Sequence, residues 1–323
     1  MGSHPLLKRI DELEQRWRAG ERGEIEPDLV AARYLAVAAL EGAQRASQIA
    51  PASDPLPLGP DGLPDIAAAQ LSPSLARAAV EQYGCLIVRG LVDAEATTSL
   101  RSGIDEAMTD WRRRKTPYRC PTGSPWFSPL MVEEPARSAL GRPWVTEGGG
   151  LLTADSPRVM AMVLEHYRAS GVRDVVTSLL GVRPVISANK CTLRKIPVDS
   201  PTDWHQDGAF LGANLPAVNV WVTLTDCGRD APGMDIVAAR IDDIVETGTD
   251  GAHFDWAVGH ARVEQLGLPI VRPKLFAGDG VIFDQMLLHR TAAEPSMTNA
   301  RYAIETWSFA GTDYPAHHVP LVW

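Results

Sequence analysis

Residues Pro184 to Gly208 read PVISANKCTLRKIPVDSPTDWHQDG. The opening is rich in β-branched and apolar residues and predicts a strand from Pro184 to Ile196. A turn dense in Pro, Asp and Ser follows, and the stretch ends on an imidazole and a carboxylate two positions apart, His205 and Asp207. The same character persists downstream in short runs bounded by Pro, Gly and Asp: Val218 to Leu224, Met234 to Val237, Pro269 to Val271, Gly280 to Phe283 and Tyr302 to Phe309. Strands that follow one another without intervening helices predict an antiparallel sandwich or barrel.

Upstream, the pattern is helical. Apolar residues recur at helix spacing in Leu6, Leu7, Ile10 and Leu13 and again in Leu29, Tyr34, Leu35 and Ala38, which predicts two helices before residue 48. The Pro-rich stretch Pro51 to Pro64 reads as a connecting loop. Ser72 is placed to cap a helix through Ala76, Ala79 and Val80, Gly84 to close it, and Cys85 to Val88 to form a strand. Asp93 opens a helix through Leu100, Ile104 and Met108 that ends in the basic cluster Arg112 to Lys115, read as a solvated helix end. Residues 116 to 156, rich in Gly, Pro and Trp, are too long for an idle loop and predict a site wall. Helical periodicity returns from Pro157 to Leu180, closed by Gly181. The resulting expectation is one α+β domain: a helical extension and linker over 1–70, a helical support layer over 71–182, and over 183–312 a β core of jelly-roll (double-stranded β-helix) type, with N-terminal and flanking helices.

Composition narrows the function classes. A formal net charge of −9 offers no uniform basic field for nucleic acid. No run of about 18 apolar residues is present, so no membrane span is expected and the cytoplasm is the default compartment. Cys85, Cys120, Cys191 and Cys227 match no paired metal or redox spacing and read as free thiols. The opening MGSH resembles a tag remnant, which removes His4 from any metal argument.

In an extended H-x-D segment, alternation puts His205 and Asp207 on one face, where both can reach one ion. His289, after the apolar run Val281-Ile282-Phe283, is the best third ligand. Two His and one carboxylate form a facial triad with open positions for a bidentate oxo-acid and O2. Arg301, in an apolar strand, matches the far carboxylate of a dicarboxylate, with the Thr291 hydroxyl in reach of the same anion; the competing reading pairs Arg301 with an acid at a strand end.

On GCLIVRGLVDAE, WHQDG, NVWVTLTD, GDGVIFDQMLLHRT and ARYAIETW, the chain resembles the phytanoyl-CoA dioxygenase family of Fe(II)/2-oxoglutarate oxygenases from about Gly84 to Phe309. The resemblance implies iron held by His205, Asp207 and His289, and the distal carboxylate of 2-oxoglutarate held by Arg301 with Thr291 assisting. It also implies a cosubstrate pocket lined by Gln206 and Trp221, with Lys190 or Thr192 touching cosubstrate or substrate. Asp207 stands where halogenating relatives carry a small residue, which implies hydroxylation, desaturation or cyclisation of a small molecule, with release of succinate and CO2. One departure is Met234-Asp235 where relatives carry Ser-His, which leaves residues 240 to 244 unassigned. A rival of another class is a non-catalytic jelly-roll protein that binds a dicarboxylate.

His166, His253, His260, His317 and His318 lack partner spacing for a second metal site, although His253 or His260 is placed to roof the pocket. Trp126, Phe127 and Trp144 are candidates for its walls.

Overall fold

Ser72 and Gly84 bracket their helix as predicted: the Ser72 hydroxyl accepts from the Leu75 amide at 3.4 Å, and Gly84, at φ 81°, turns the chain out into a strand. The computed structural model describes residues 4–40, 42, 49–113, 124–198, 202–248 and 251–323. In chain order the elements are α1 (Pro5–Arg18), α2 (Ile25–Leu35), β1 (Asp65–Ala67), α3 (Pro73–Tyr83), β2 (Cys85–Arg89), α4 (Ala94–Arg113), α5 (Ala136–Leu140), α6 (Pro143–Glu147) and β3 (Gly150–Leu152). There follow α7 (Pro157–Ala169), α8 (Val172–Leu180), β4 (Pro184–Ser187), β5 (Thr192–Ile196), α9 (Gly208–Leu211), β6 (Ala217–Thr223) and β7 (Gly233–Val237). The chain continues with α10 (His260–Gln265), β8 (Ile270–Val271), β9 (Gly280–Asp284), β10 (His289–Ala292), β11 (Arg301–Ala310) and β12 (Pro320–Val322). No helix among the described residues is long and apolar enough to cross a membrane.

A nine-stranded sheet runs β1-β2-β9-β6-β11-β4-β12, with β5 also paired to β11 and β3 to β5; a separate three-stranded sheet runs β10-β7-β8. Among the described residues, only the β1–β2 pairing is parallel. Alternation assigns the two faces of the large sheet. Val220 and Val222 of β6, Ile282 of β9 and Ile304 of β11 join the apolar cluster shared with α3, α4, α7 and α8. Trp221, Val281, Phe283, Ala303, Trp307 and Phe309 point the other way and pack with Met234 and Ile236 of the small sheet. With both faces covered, these strands read as continuous apolar runs, the pattern that made them visible in the sequence.

Several boundaries differ from expectation. The periodic stretch Pro157 to Leu180 is two helices, because Gly171 takes φ 78° between α7 and α8. The predicted strand Pro184 to Ile196 is β4 and β5, separated by a tight turn closed by the Cys191 amide on the Ser187 carbonyl at 2.9 Å, and this turn presents Lys190. The sheet also extends beyond residues 183–312: β1 comes from the stretch assigned to extension and linker, β3 and the predicted strand β2 from the stretch assigned to helical support, and β12 lies further on. The 124–156 portion of the long loop folds into α5, α6 and β3, and its Trp126 and Phe127 pack into the apolar cluster shared with the helices. Cys85, Cys191 and Cys227 are free and buried, while Cys120 and Lys115 lie outside the described residues.

Candidate active site

The stretch GDGVIFDQMLLHRT splits between the two sheets, and this split builds the site. Its first half is β9 of the large sheet; its second half opens β10 of the small one, with His289 as the first residue. His205 lies directly opposite His289, and the two exchange backbone hydrogen bonds of 2.9 and 3.0 Å. Their rings stand 4.4 Å apart. Each Nδ1–H donates to a carbonyl two residues back, His205 to Asp203 at 2.9 Å and His289 to Leu287 at 3.0 Å, which fixes the tautomer and leaves each Nε2 lone pair free to ligate. Asp207 follows at the entrance to α9, almost fully buried, and ligand atoms of His205, Asp207 and His289 all lie within 4.8 Å of one another. Burial and the neighbouring His205 push His289 down to about 4, so it stays neutral at physiological pH, the form a metal requires. Burial opposes ionisation of Asp207, but Lys190 and the two imidazoles outweigh it and hold the carboxyl below the ordinary range.

Arg301 opens β11 and shares its inward face with Ala303, Glu305 and Trp307. It is 4 % exposed, and its guanidinium donates from one terminal nitrogen to the Pro232 and Gly233 carbonyls at 3.2 and 2.9 Å. Its Nε has no partner, and no carboxylate within the described residues forms an ion pair with it. Burial accordingly pushes it down to about 10. The strand-end acid of the competing reading is absent among those residues. A buried cation with an unused donor is a site for an anion. Trp221 of β6 supports it, with the guanidinium 5.2 Å from the indole centroid.

Lys190 reaches Asp207 at 3.2 Å and Glu305 at 3.9 Å, and Thr192 donates to Glu305 at 2.9 Å. Thr291 shares the face of His289 by alternation, and its amide donates to the Thr202 hydroxyl at 2.7 Å. Gln206 is a correction. It faces away from its two neighbours, donating to the Asp243 and Met286 carbonyls at 3.1 and 2.9 Å and accepting from the Val245 amide at 2.8 Å. With its amide spent on backbone, it ties the 243–245 segment beneath the ligands and does not line a pocket. His253 does not reach the triad but clamps Asp203 through its amide and Nδ1 at 2.7 and 2.8 Å, and His260 accepts from the Trp204 indole at 3.2 Å. Trp144 lies at the edge of the same charged network, with the Arg194 guanidinium 5.6 Å from its ring.

Glu305 escaped the sequence reading. Lys190, Arg194 at 3.7 Å, Thr192 and the Trp307 indole at 3.0 Å converge on it, and the two cations overcome burial to keep it ionised. The signal was present: alternation from Arg301 puts Ala303 and Glu305 on the same inward face of ARYAIETW.

The arrangement suits an iron and an oxo-dicarboxylate: three convergent ligands, two of them oriented from behind, and a buried arginine with a free donor. Among solved structures, the epimerase SnoN in complex with Fe3+, alpha ketoglutarate and nogalamycin RO superposes with a TM-score of 0.52 at 18% identity, covering 76% of this chain and 86% of that one. EvdO2 from Micromonospora carbonacea var. aurantiaca, complexed with 2-oxoglutarate, gives a TM-score of 0.44 at 14% identity, covering 77% and 91%. At such identities the SnoN likeness speaks for the fold alone. Comparison with curated proteins gives no match. Residues 80–301 match the family model of phytanoyl-CoA dioxygenase (PhyH), well over half of the chain, and the protein belongs to that family of iron- and 2-oxoglutarate-dependent oxygenases.

Proposed function

We propose that His205, Asp207 and His289 hold Fe(II), that Arg301 anchors the distal carboxylate of 2-oxoglutarate, and that the protein hydroxylates a small organic molecule with release of succinate and CO2. The observation that carries this reading is the triad itself, three ligand atoms within 4.8 Å of one another between two sheets. Bound iron with 2-oxoglutarate supplies O2 activation and the oxidising equivalent. The chain supplies the rest. The carbonyls of Asp203 and Leu287 orient the imidazoles, and Lys190 neutralises the carboxylate until the metal does. Arg301 and Trp221, with Thr291 on the facing strand, give the cosubstrate one orientation, while Lys190 and Thr192 flank it from β5 and the turn before it. In this reading the two sheets constitute a double-stranded β-helix and the whole chain acts as one oxygenase domain.

The test is anaerobic titration of the wild type and of His205→Ala with Fe(II) and 2-oxoglutarate. The weak visible absorbance of the chelate is expected in the wild type alone; its absence from both, with metal demonstrably bound, would sink the assignment.

A further inference from the structure

Beside His205 stand three aromatic rings that belong to no apolar cluster. The Trp256 ring lies edge-on to the imidazole at 5.6 Å, and Phe210 lies 6.5 Å from it on the same side. Phe210 and Trp256 meet at 5.5 Å, and Phe254 stacks on Trp256 at 5.0 Å with only 6° between the ring planes. Phe254 is 54% exposed and Phe210 42%, so core packing accounts for neither.

Their placement is nonetheless firm. Phe210 sits in α9, three residues after Asp207. The loop carrying Phe254 and Trp256 is pinned to the ligand segment at both ends: His253 holds the Asp203 carboxylate at 2.7 and 2.8 Å, and the Val258 amide donates to the Trp204 carbonyl at 2.8 Å. Ala257 and Val258 are buried beneath it. Rings left open to water, on backbone fixed against the His205 segment, form a prepared surface next to the ligand set.

We propose that Phe210, Trp256 and Phe254 are a stacking platform that seats a planar, uncharged aromatic ring of the substrate beside His205. This deepens, and rests on, the iron-site reading above. The nearly parallel Phe254 and Trp256 offer a further flat ring stacking contacts, and Phe210, at 77° to Trp256, an edge contact, that a puckered, saturated ring of the same size cannot match. A cationic substrate is disfavoured because Lys190 already occupies one face of Phe210, its Nζ 4.6 Å from the centroid, and would repel a second cation. A ring seated there lies against His205, within the reach of the ligand set that would hold the iron.

Calorimetric titration of the protein loaded with Fe(II) and 2-oxoglutarate under argon tests this, with 2-naphthol, decahydro-2-naphthol and choline as probes. The flat probe should bind about tenfold more tightly than its saturated analogue, although the latter is the more hydrophobic, and choline should bind more weakly than 2-naphthol. Phe254→Ala, at an exposed position, should erode the flat-ring preference by about 3- to 10-fold, and Trp256→Leu by at least as much. Equal affinity for the flat and saturated probes, or a preference that survives both substitutions, overturns the platform. The chelate absorbance of the same samples keeps the two readings apart. Ring discrimination without a chelate refutes the iron reading and keeps the platform; a chelate without discrimination refutes the platform alone.

Discussion

Arg301 and Glu305 are both buried charges on the inward face of β11, yet their energetics are opposite. Glu305 is satisfied by two cations, a hydroxyl and an indole, whereas Arg301 has two carbonyls and an idle Nε. An uncompensated buried cation costs stability in the absence of its anion. Arg301→Met, which keeps the bulk and removes the charge, is therefore expected to leave the thermal midpoint of the cosubstrate-free protein unchanged or raise it. The same change should raise KM for 2-oxoglutarate about 10- to 100-fold, the loss of a charge-assisted contact. An arginine present for structure would show the reverse, a lowered midpoint with KM intact, so paired melting curves and initial rates decide the matter.

Among the elements, the small sheet carries the third ligand on a strand of four residues, too short to orient itself. What holds β10 in register is the pairing of His289 to Ala292 with Ile236 to Gly233, together with Asp235, nearly fully buried on β7. Asp235 accepts from Arg290 at 2.9 Å and from Arg272 at 2.6 Å. The Arg290 guanidinium in turn lies 4.8 Å from the Trp204 ring centroid. The Asp235 carboxylate thereby locks Arg290, the residue next to His289. Asp235→Asn leaves Arg290 without its counter-charge and Arg272 with Glu294 alone. Because both are partly solvent-accessible, the expected cost is modest, about 1 to 3 kcal/mol by urea denaturation, with weaker Fe(II) binding as β10 loosens. An unchanged urea midpoint together with unchanged metal affinity would refute the clamp.

For the molecule as a whole, stability should follow both metal and pH. A metal that binds only the folded chain stabilises it by mass action, about 2.7 kcal/mol at a hundredfold excess over Kd. Under argon, Fe(II) should raise the melting midpoint by several degrees in the wild type and not in His205→Ala; differential scanning fluorimetry reads both. The pH dependence has a source outside the triad. His318, hydrogen-bonded to Ser187 at 2.8 Å, is pushed down to about 4 by burial and then by Arg142, Lys190 and His317. Its folded value lies below the unfolded 6.5, so between those values the unfolded chain binds a proton that the folded chain refuses. Stability is therefore lost as pH falls from about 6.5 towards 4, by on the order of 1 kcal/mol from this group. His318→Asn should flatten that part of the urea-midpoint profile; a slope identical to the wild type's would contradict the assignment.

By itself the sequence determined what period and chemistry can carry: the buried strands, because both their faces are apolar; the caps at Ser72 and Gly84; and the residue types of His205, Asp207, His289 and Arg301. Tertiary structure alone decided which of those residues meet. Lys190 reaches Asp207 because a turn splits β4 from β5, Gln206 turns away because alternation aims it at backbone, and Glu305 enters the site because four side chains from β5, the turn before it and β11 itself converge on it. The aromatic rings beside His205 come from α9 and a distant loop. These are contacts between residues far apart in the chain, and local propensity holds no information about them; only the pairing of two sheets across a shared core brings them within a few ångströms.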